Sequence, residues 1–169
     1  MATVRSKRWF RFTWQALLFI AVLFAVHLYV TRNAVTGPAP PFAGRLLDGE
    51  PVSLQQFRGR PLLVHFWASW CGICRLEQSS IAALARDHQV VTIAMQSGGA
   101  VSVKNYLHKH KLHIPVLLDQ NGVLARRYGV RGVPTSFVVD GNGVIRFVEV
   151  GYTTGLGLRL RLWWAGLTR

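Results

Sequence analysis

Residues 67–77 read WASWCGICRLE, and Cys71 and Cys74 inside this stretch are the only cysteines among 169 residues. Upstream, PLLVHFW (61–67) is an almost wholly apolar run, which suits a strand buried on both faces. Downstream, Ile73, Leu76, Ile81, Leu84 and Ala85 recur at helical spacing and predict a helix from about Cys71 to His88. Cys71 thus opens a helix directly after a buried strand. Unpaired N–H groups and the positive end of the helix dipole then point at its sulfur and favour the thiolate. A free cysteine titrates near pH ~8.5, and in such settings values of about 3.5 to 7.5 are usual. Cys74 lies one helical turn on, close enough to bond Cys71 but more shielded, and is the natural resolving thiol for a mixed disulfide formed by Cys71. Two other uses compete. Zinc would need two further ligands, and the chain has no second CxxC. A purely structural disulfide would close so short a loop that it removes little chain entropy.

Outward from this centre the elements alternate. GRLLDGEPVSL (44–54) sets Asp48-Gly49 between apolar-rich runs and predicts a hairpin. VVTIAMQ (90–96) is a second buried strand, and VSVKNYLHKH (101–110) a helix. After IPVLLD (114–119), VLARRYGV makes a short helix, and VPTSFVVD (133–140) pairs with VIRFVEV (144–150) around Gly141-Asn142-Gly143. The last stretch, GLGLRLRLWWAGL, alternates like a strand, but its place after a hairpin suits a closing helix. Parallel β-α-β units followed by a terminal hairpin imply an α/β fold, with a mixed central sheet and helices on both faces.

The start of the chain has a different character. Residues 1–11 are basic, and FTWQALLFIAVLFAVHLYV (12–30) contains no Asp, Glu, Lys or Arg. As a helix it would span about 28 Å, close to the hydrocarbon thickness of a bilayer. Arg5, Lys7, Arg8 and Arg11 precede it and only Arg32 follows closely, so the positive-inside rule keeps the N-terminus cytoplasmic and exports the rest. A cleaved signal peptide is the alternative, but Ala34-Val35-Thr36 matches its small-x-small site poorly. The expected organisation is a cytoplasmic basic N-terminus (1–11), a transmembrane anchor (12–30), a Pro-rich linker (31–41) and one domain (42–169). Removing those five basic residues from the total of 20 leaves 15 against 7 acidic ones. The positive side chains are scattered, and no nucleic-acid-binding signature accompanies them. A solvated basic surface near anionic lipid explains them.

FWASWCGIC resembles the active-site strand and turn of the thioredoxin superfamily, and YGVRGVPTSFVVD resembles its second landmark, the Val-Pro-Thr loop. The resemblance implies the thioredoxin fold, with an extra N-terminal β-hairpin and a transmembrane helix before it, and covers about residues 40–165. It implies that Pro134 is cis beside the cysteines, and that Val133 and Thr135 offer backbone for strand-like pairing with substrate. Cys71 is then the nucleophile and Cys74 the resolving thiol. Trp70, Gly72, Ile73 and Pro134 shape the substrate face. The hairpin LLDGEPVSL and Glu77 are similar to the membrane-anchored extracytoplasmic branch that includes TlpA, ResA and the cytochrome c maturation thioredoxins. The layout as a whole looks most like TlpA-like protein disulfide oxidoreductases related to the copper-sensitivity suppressor D protein.

That branch implies a protein-disulfide oxidoreductase with no cofactor beyond the Cys71–Cys74 redox disulfide, and no metal. It implies protein thiol or disulfide substrates, a membrane electron-transfer reductase as partner, and a single-pass location in a bacterial inner membrane with the catalytic domain in the periplasm. Departures mark the residues to examine. His65 stands where cytoplasmic thioredoxin has a buried Asp that assists proton transfer, and either substitutes for it or fills space. Glu77 is the second candidate modulator. Gly72-Ile73 differs from thioredoxin's Gly-Pro, which leaves the direction of electron flow open. Gly-Val-Pro-Thr-Ser replaces the Gly-Ala-Pro-Glu-Thr of the cytochrome c maturation members. A copper-handling protein using the thiols and His108, His110 and His113 of HKHKLH is the competing expectation.

Overall fold

The structure, a computed structural model, describes residues 13–15, 17–22, 25–26 and 34–168. Of the expected anchor, the described residues are helical. The rest of residues 12–30, and all of 1–11, lie outside the described set. Among the described residues no helix is long and apolar enough to cross a membrane.

Residues 34–168 belong to one compact unit. Its strands are β1 (Gly37–Pro38), β2 (Ala43–Arg45), β3 (Pro51–Ser53), β4 (Leu62–Trp67), β5 (Gln89–Met95), β6 (Val116–Asp119), β7 (Thr135–Val139) and β8 (Val144–Val150). Its helices are α1 (Gly72–Asp87), α2 (Ala100–Lys109), α3 (Val123–Arg127) and α4 (Gly155–Leu167), with a 3-10 turn at Leu54–Phe57. β2 and β3 form the expected hairpin as a separate two-stranded sheet. The other strands form a mixed sheet in the order β1-β8-β7-β4-β5-β6, with β4, β5 and β6 parallel and the β7–β8 hairpin antiparallel.

Side-chain alternation along β4 sorts the core. Leu62, Val64 and Phe66 face one side, where α3 delivers Leu124 and Ala125, and Tyr128 follows. There Phe66, Tyr128 and Phe137 stack with ring centroids 5.0 to 5.8 Å apart. Such tilted and edge-to-face pairs add about 0.5–1.5 kcal/mol each beyond their burial. Leu63, His65 and Trp67 face the other side. Leu63 packs with Ile81 and Leu84 of α1 and with Leu158 and Leu162 of α4, while Trp67 packs with both cysteines and with Val103 of α2. All of β4 is buried, in keeping with a run that is apolar except at His65.

Short polar locks fix the ends of elements. Both carboxylate oxygens of Asp119 accept N–H groups at the start of α3, from Leu124 at 3.2 Å and Ala125 at 2.8 Å. Asp140 holds the β7–β8 turn by accepting from the N–H groups of Asn142 and Val144 and pairing with Arg146 at 2.7 Å. Gly143 there has φ 78°, a left-handed conformation that favours glycine. The closing stretch is a helix because Thr154 caps it, its hydroxyl accepting from the Gly157 N–H.

The Pro-rich linker is corrected. Residues 37–40 are docked onto the domain: Gly37 and Pro38 pair with Ile145 and Val144 of β8. Ala39 is buried, and the Tyr128 hydroxyl donates to the Pro40 carbonyl at 2.8 Å. Edge pairing tolerates proline because the missing N–H faces away from the ladder. Two paired residues also leave no periodic pattern to read.

Candidate redox site

β4 ends at Trp67, and after a tight turn Cys71 becomes the N-cap of α1. Cys71 and Cys74 are joined by a disulfide with their Cα atoms 5.3 Å apart. The Cys74 N–H donates to Cys71 Sγ at 3.0 Å, and the first turn of α1 carries no acidic side chain. On reduction, that N–H and the helix dipole favour negative charge on Cys71. Cys71 is 7% exposed and Cys74 is sealed. Only one of the two sulfurs therefore meets solvent.

The Val133–Pro134 peptide is cis, and the Val133 carbonyl oxygen lies 3.6 Å from Cys71 Sγ. Val133 therefore borders the reactive sulfur. Thr135 does not act as expected. It lies within β7, in register with Phe66 on one side and Val150 on the other, and its hydroxyl donates to the Gly132 carbonyl. The Pro134 carbonyl is likewise taken, by the Gly151 N–H at 2.8 Å. The sheet thus occupies the backbone after Val133.

Trp70 and Ile73 stand exposed beside the disulfide, and Gly72 has open space where a side chain would begin. The loop after β5 braces this turn, through residues that sequence patterns did not single out. The Gln96 carbonyl accepts from Trp70 Nε1 at 3.1 Å, and the Ser97 hydroxyl accepts from the Ser69 N–H at 2.9 Å. Gln96 itself has φ 43°, an uncommon left-handed value for a non-glycine residue.

Beneath the cysteines lie the two candidate modulators, both buried. His65 Nε2 is 3.6 Å from Glu77 Oε1, His65 Nδ1 shares a 2.9 Å hydrogen bond with the Ser136 hydroxyl, and Glu77 Oε2 accepts from the Thr153 N–H at 3.1 Å. Burial drives His65 down to about 3, so the imidazole is neutral at neutral pH. Burial raises Glu77 to about 7, only partly offset by the Thr153 N–H. The contact is therefore not an ion pair at neutral pH. It is a neutral imidazole facing a carboxyl poised to gain or lose a proton. Ser136 and Thr153 carry no local sequence signal, because they reach the pair only through sheet register and the β8–α4 connection.

His108 and His110 end α2, and His110 stacks on Tyr106 with centroids 4.5 Å apart. Among the described residues no group of three or more His, Cys, Asp or Glu could hold a metal ion.

The sequence matches the AhpC/TSA family over residues 35–148. The chain belongs to that family of thioredoxin-like proteins. It is 36% identical over 121 residues to a thioredoxin-like protein of Haemophilus influenzae, covering 70% of this chain and 72% of the relative. It is 32% identical over 111 residues to the thiol-disulfide oxidoreductase ResA of Bacillus thuringiensis subsp. konkukian, covering 63% of this chain and 64% of the relative. Among solved structures, a Chlorobium tepidum protein described as a thiol:disulfide interchange protein DsbE superposes with a TM-score of 0.70 at 30% identity, covering 79% of this chain and 99% of that one. With Cys71 and Cys74 disulfide-bonded at the start of α1, the chain is a thioredoxin-like thiol–disulfide oxidoreductase.

Proposed function

We propose that the chain reduces or exchanges disulfides of exported proteins from the periplasmic side of a bacterial inner membrane, with residues 12–30 as its anchor. The observation that carries this is the single accessible sulfur, Cys71, capping α1 beside the cis-proline loop. In the reduced chain, the Cys71 thiolate attacks one sulfur of a substrate disulfide. A Cys71–substrate bond forms and the other substrate sulfur leaves as a thiolate. Cys74 then attacks Cys71 Sγ, releases the second substrate thiol, and leaves the chain oxidised. Two electrons have passed to the substrate, and a membrane electron-transfer reductase returns them. Val133 positions the substrate segment, with Trp70, Gly72 and Ile73 forming the surface it meets.

The Cys74 thiol must lose its proton while buried. Glu77, one helical turn further along α1, titrates near neutral pH and suits acceptance of that proton, with the Thr153 N–H holding the carboxyl in place and the neutral His65 ring 3.6 Å from its other oxygen.

Reduction of a protein disulfide by the full chain tests the mechanism. Cys71→Ser abolishes turnover, and Cys74→Ala accumulates covalent substrate adducts. Full activity in the Cys71 variant would end this reading. Location is tested separately: a C-terminal alkaline phosphatase fusion is active, and the chain stays with membranes after a carbonate wash. Release by carbonate would contradict the anchor.

A further inference from the structure

The closing helix α4 is apolar on two opposite faces. Leu158, Leu162 and Ala165 are buried against α1 and the sheet. Leu156, Leu160, Trp163 and Leu167, at the i, i+4, i+7, i+11 spacing of a second stripe, are 69%, 58%, 64% and 64% exposed. Trp164 borders this stripe and is also exposed. A helix that is apolar all round normally lies wholly buried, and large contiguous apolar patches mark contact surfaces. With 13 residues α4 is about 20 Å long, too short to span a bilayer but long enough to lie along one.

The charge beside the stripe indicates what covers it. A groove of about 580 Å³ runs along the C-terminal half of α4, with Trp163 and Leu167 on one wall and the exposed Arg60 and Arg86 among its other lining residues. The one carboxylate lining it, Asp87, is already paired with Arg159 at 2.9 Å. On the other flank of α4, Glu149 is paired with Arg161 at 2.6 Å. The acidic groups are thus neutralised, while Arg60 and Arg86 stay cationic beside an aromatic and aliphatic ridge. Guanidinium groups next to tryptophan and leucine match the phosphates and upper acyl region of an anionic bilayer.

We propose that the outer face of α4 docks in the interface of an anionic membrane, with Leu156, Leu160, Trp163 and Leu167 entering the acyl boundary and Arg60 and Arg86 meeting headgroup phosphates. This rests on the membrane-anchored reading of residues 12–30 for its proximity to lipid. Docking gives the domain a second attachment beside its anchor and restricts how the disulfide site is presented.

The test uses the full chain carrying fluorotryptophan at all six tryptophans, incorporated in nanodiscs containing a headgroup-spin-labelled lipid. Trp163→Phe and Trp164→Phe assign the signals. In phosphatidylglycerol discs the Trp163 fluorine signal is lost to paramagnetic broadening. It recovers in phosphatidylcholine discs and at high salt. Trp67, buried in the core, keeps its signal throughout, and Trp70, exposed at the disulfide, serves as the reference for random collision. A Trp163 signal broadened no more than that of Trp70 in phosphatidylglycerol overturns the proposal. So does a Trp163 shift that depends on protein concentration and not on lipid, which would assign the stripe to a second copy of the chain. Trp14, inside the anchor, is broadened in both lipids. Its failure to broaden would count against the anchor, independently of α4.

Discussion

Two rows of side chains cross the central sheet one residue apart. Val91, Val64, Phe137 and Val148 stand in register on four successive strands, and Thr92, His65, Ser136 and Glu149 stand in register beside them. Both rows use the same backbone ladder. Successive residues of a strand face opposite sides, so one row packs into the dry aromatic layer and the other turns away from it, His65 meeting Glu77 of α1 and Glu149 meeting Arg161 of α4. The comparison shows how the fold separates its duties. Both sides of the sheet are packed, but the aromatic layer lies on one side and the buried His65–Glu77 contact on the other, where a change of charge does not disturb the aromatic packing.

Substitutions in each row sharpen that contrast. The largest effect is expected from Phe137→Ala, which empties the aromatic layer and costs about 3–5 kcal/mol in urea unfolding. Disulfide exchange per folded molecule stays unchanged, and a loss of exchange exceeding the loss of folded protein would show that the rows are not separate.

Glu77→Gln follows, and its signature is in pH. The folded carboxyl titrates near 7, above its ordinary 4.5, so the stability linked to its protonated form is complete below pH 4.5 and is lost as pH rises to 7. This group therefore lowers wild-type stability by about 3 kcal/mol across that window, and the Gln variant lacks the decline. His65 works in the opposite sense. Its folded value of about 3 lies below 6.5, so its contribution is complete above pH 6.5 and falls away toward pH 3, in the wild type and in Glu77→Gln alike. Between pH 4.5 and 6.5 the two slopes oppose each other in the wild type, so unfolding curves at pH 4.5, 6 and 8 are read as the difference between wild type and Glu77→Gln, in which the His65 contribution cancels, and a difference independent of pH would refute the assignment to Glu77.

Ser136→Ala leaves His65 Nδ1 without its buried partner and costs about 1–3 kcal/mol. The smallest change is at the outer end of the polar row. Arg161→Ala breaks the partly exposed pair with Glu149 for about 0.2–1 kcal/mol, a difference that shrinks in salt.

The parts of this arrangement that were legible in the sequence are those written in local periodicity. PLLVHFW announces a doubly buried strand, and the spacing Ile81, Leu84 announces the face of α1 that meets it. Cys71 and Val133-Pro134 are legible through motif, and they do meet at the sulfur. What escaped is set by register and long-range closure. Nothing near Glu77 in the chain points to the Thr153 N–H that binds it, and His65 meets Ser136 only because β4 and β7 pair in one register. The Pro-rich stretch looked like a tether because a two-residue edge pairing has no period. Thr135 looked available because a motif does not show that the sheet has already claimed its backbone.

The sheet order also has a consequence in time. β1 is the first strand of the domain to be made, and its partner β8 is the last, with Gly37 waiting for Ile145. β7 and β8 must fill the space between β1 and β4, so when synthesis has reached Tyr128 the edge of β4 is still open and the aromatic layer lacks Phe137. Such non-local pairing comes late in folding. The nascent chain consequently remains an incomplete sheet until β8 is made, whereas the residues that enclose Cys74, among them Trp67, Ala94, Val103 and Val116, are already present once β6 has been made.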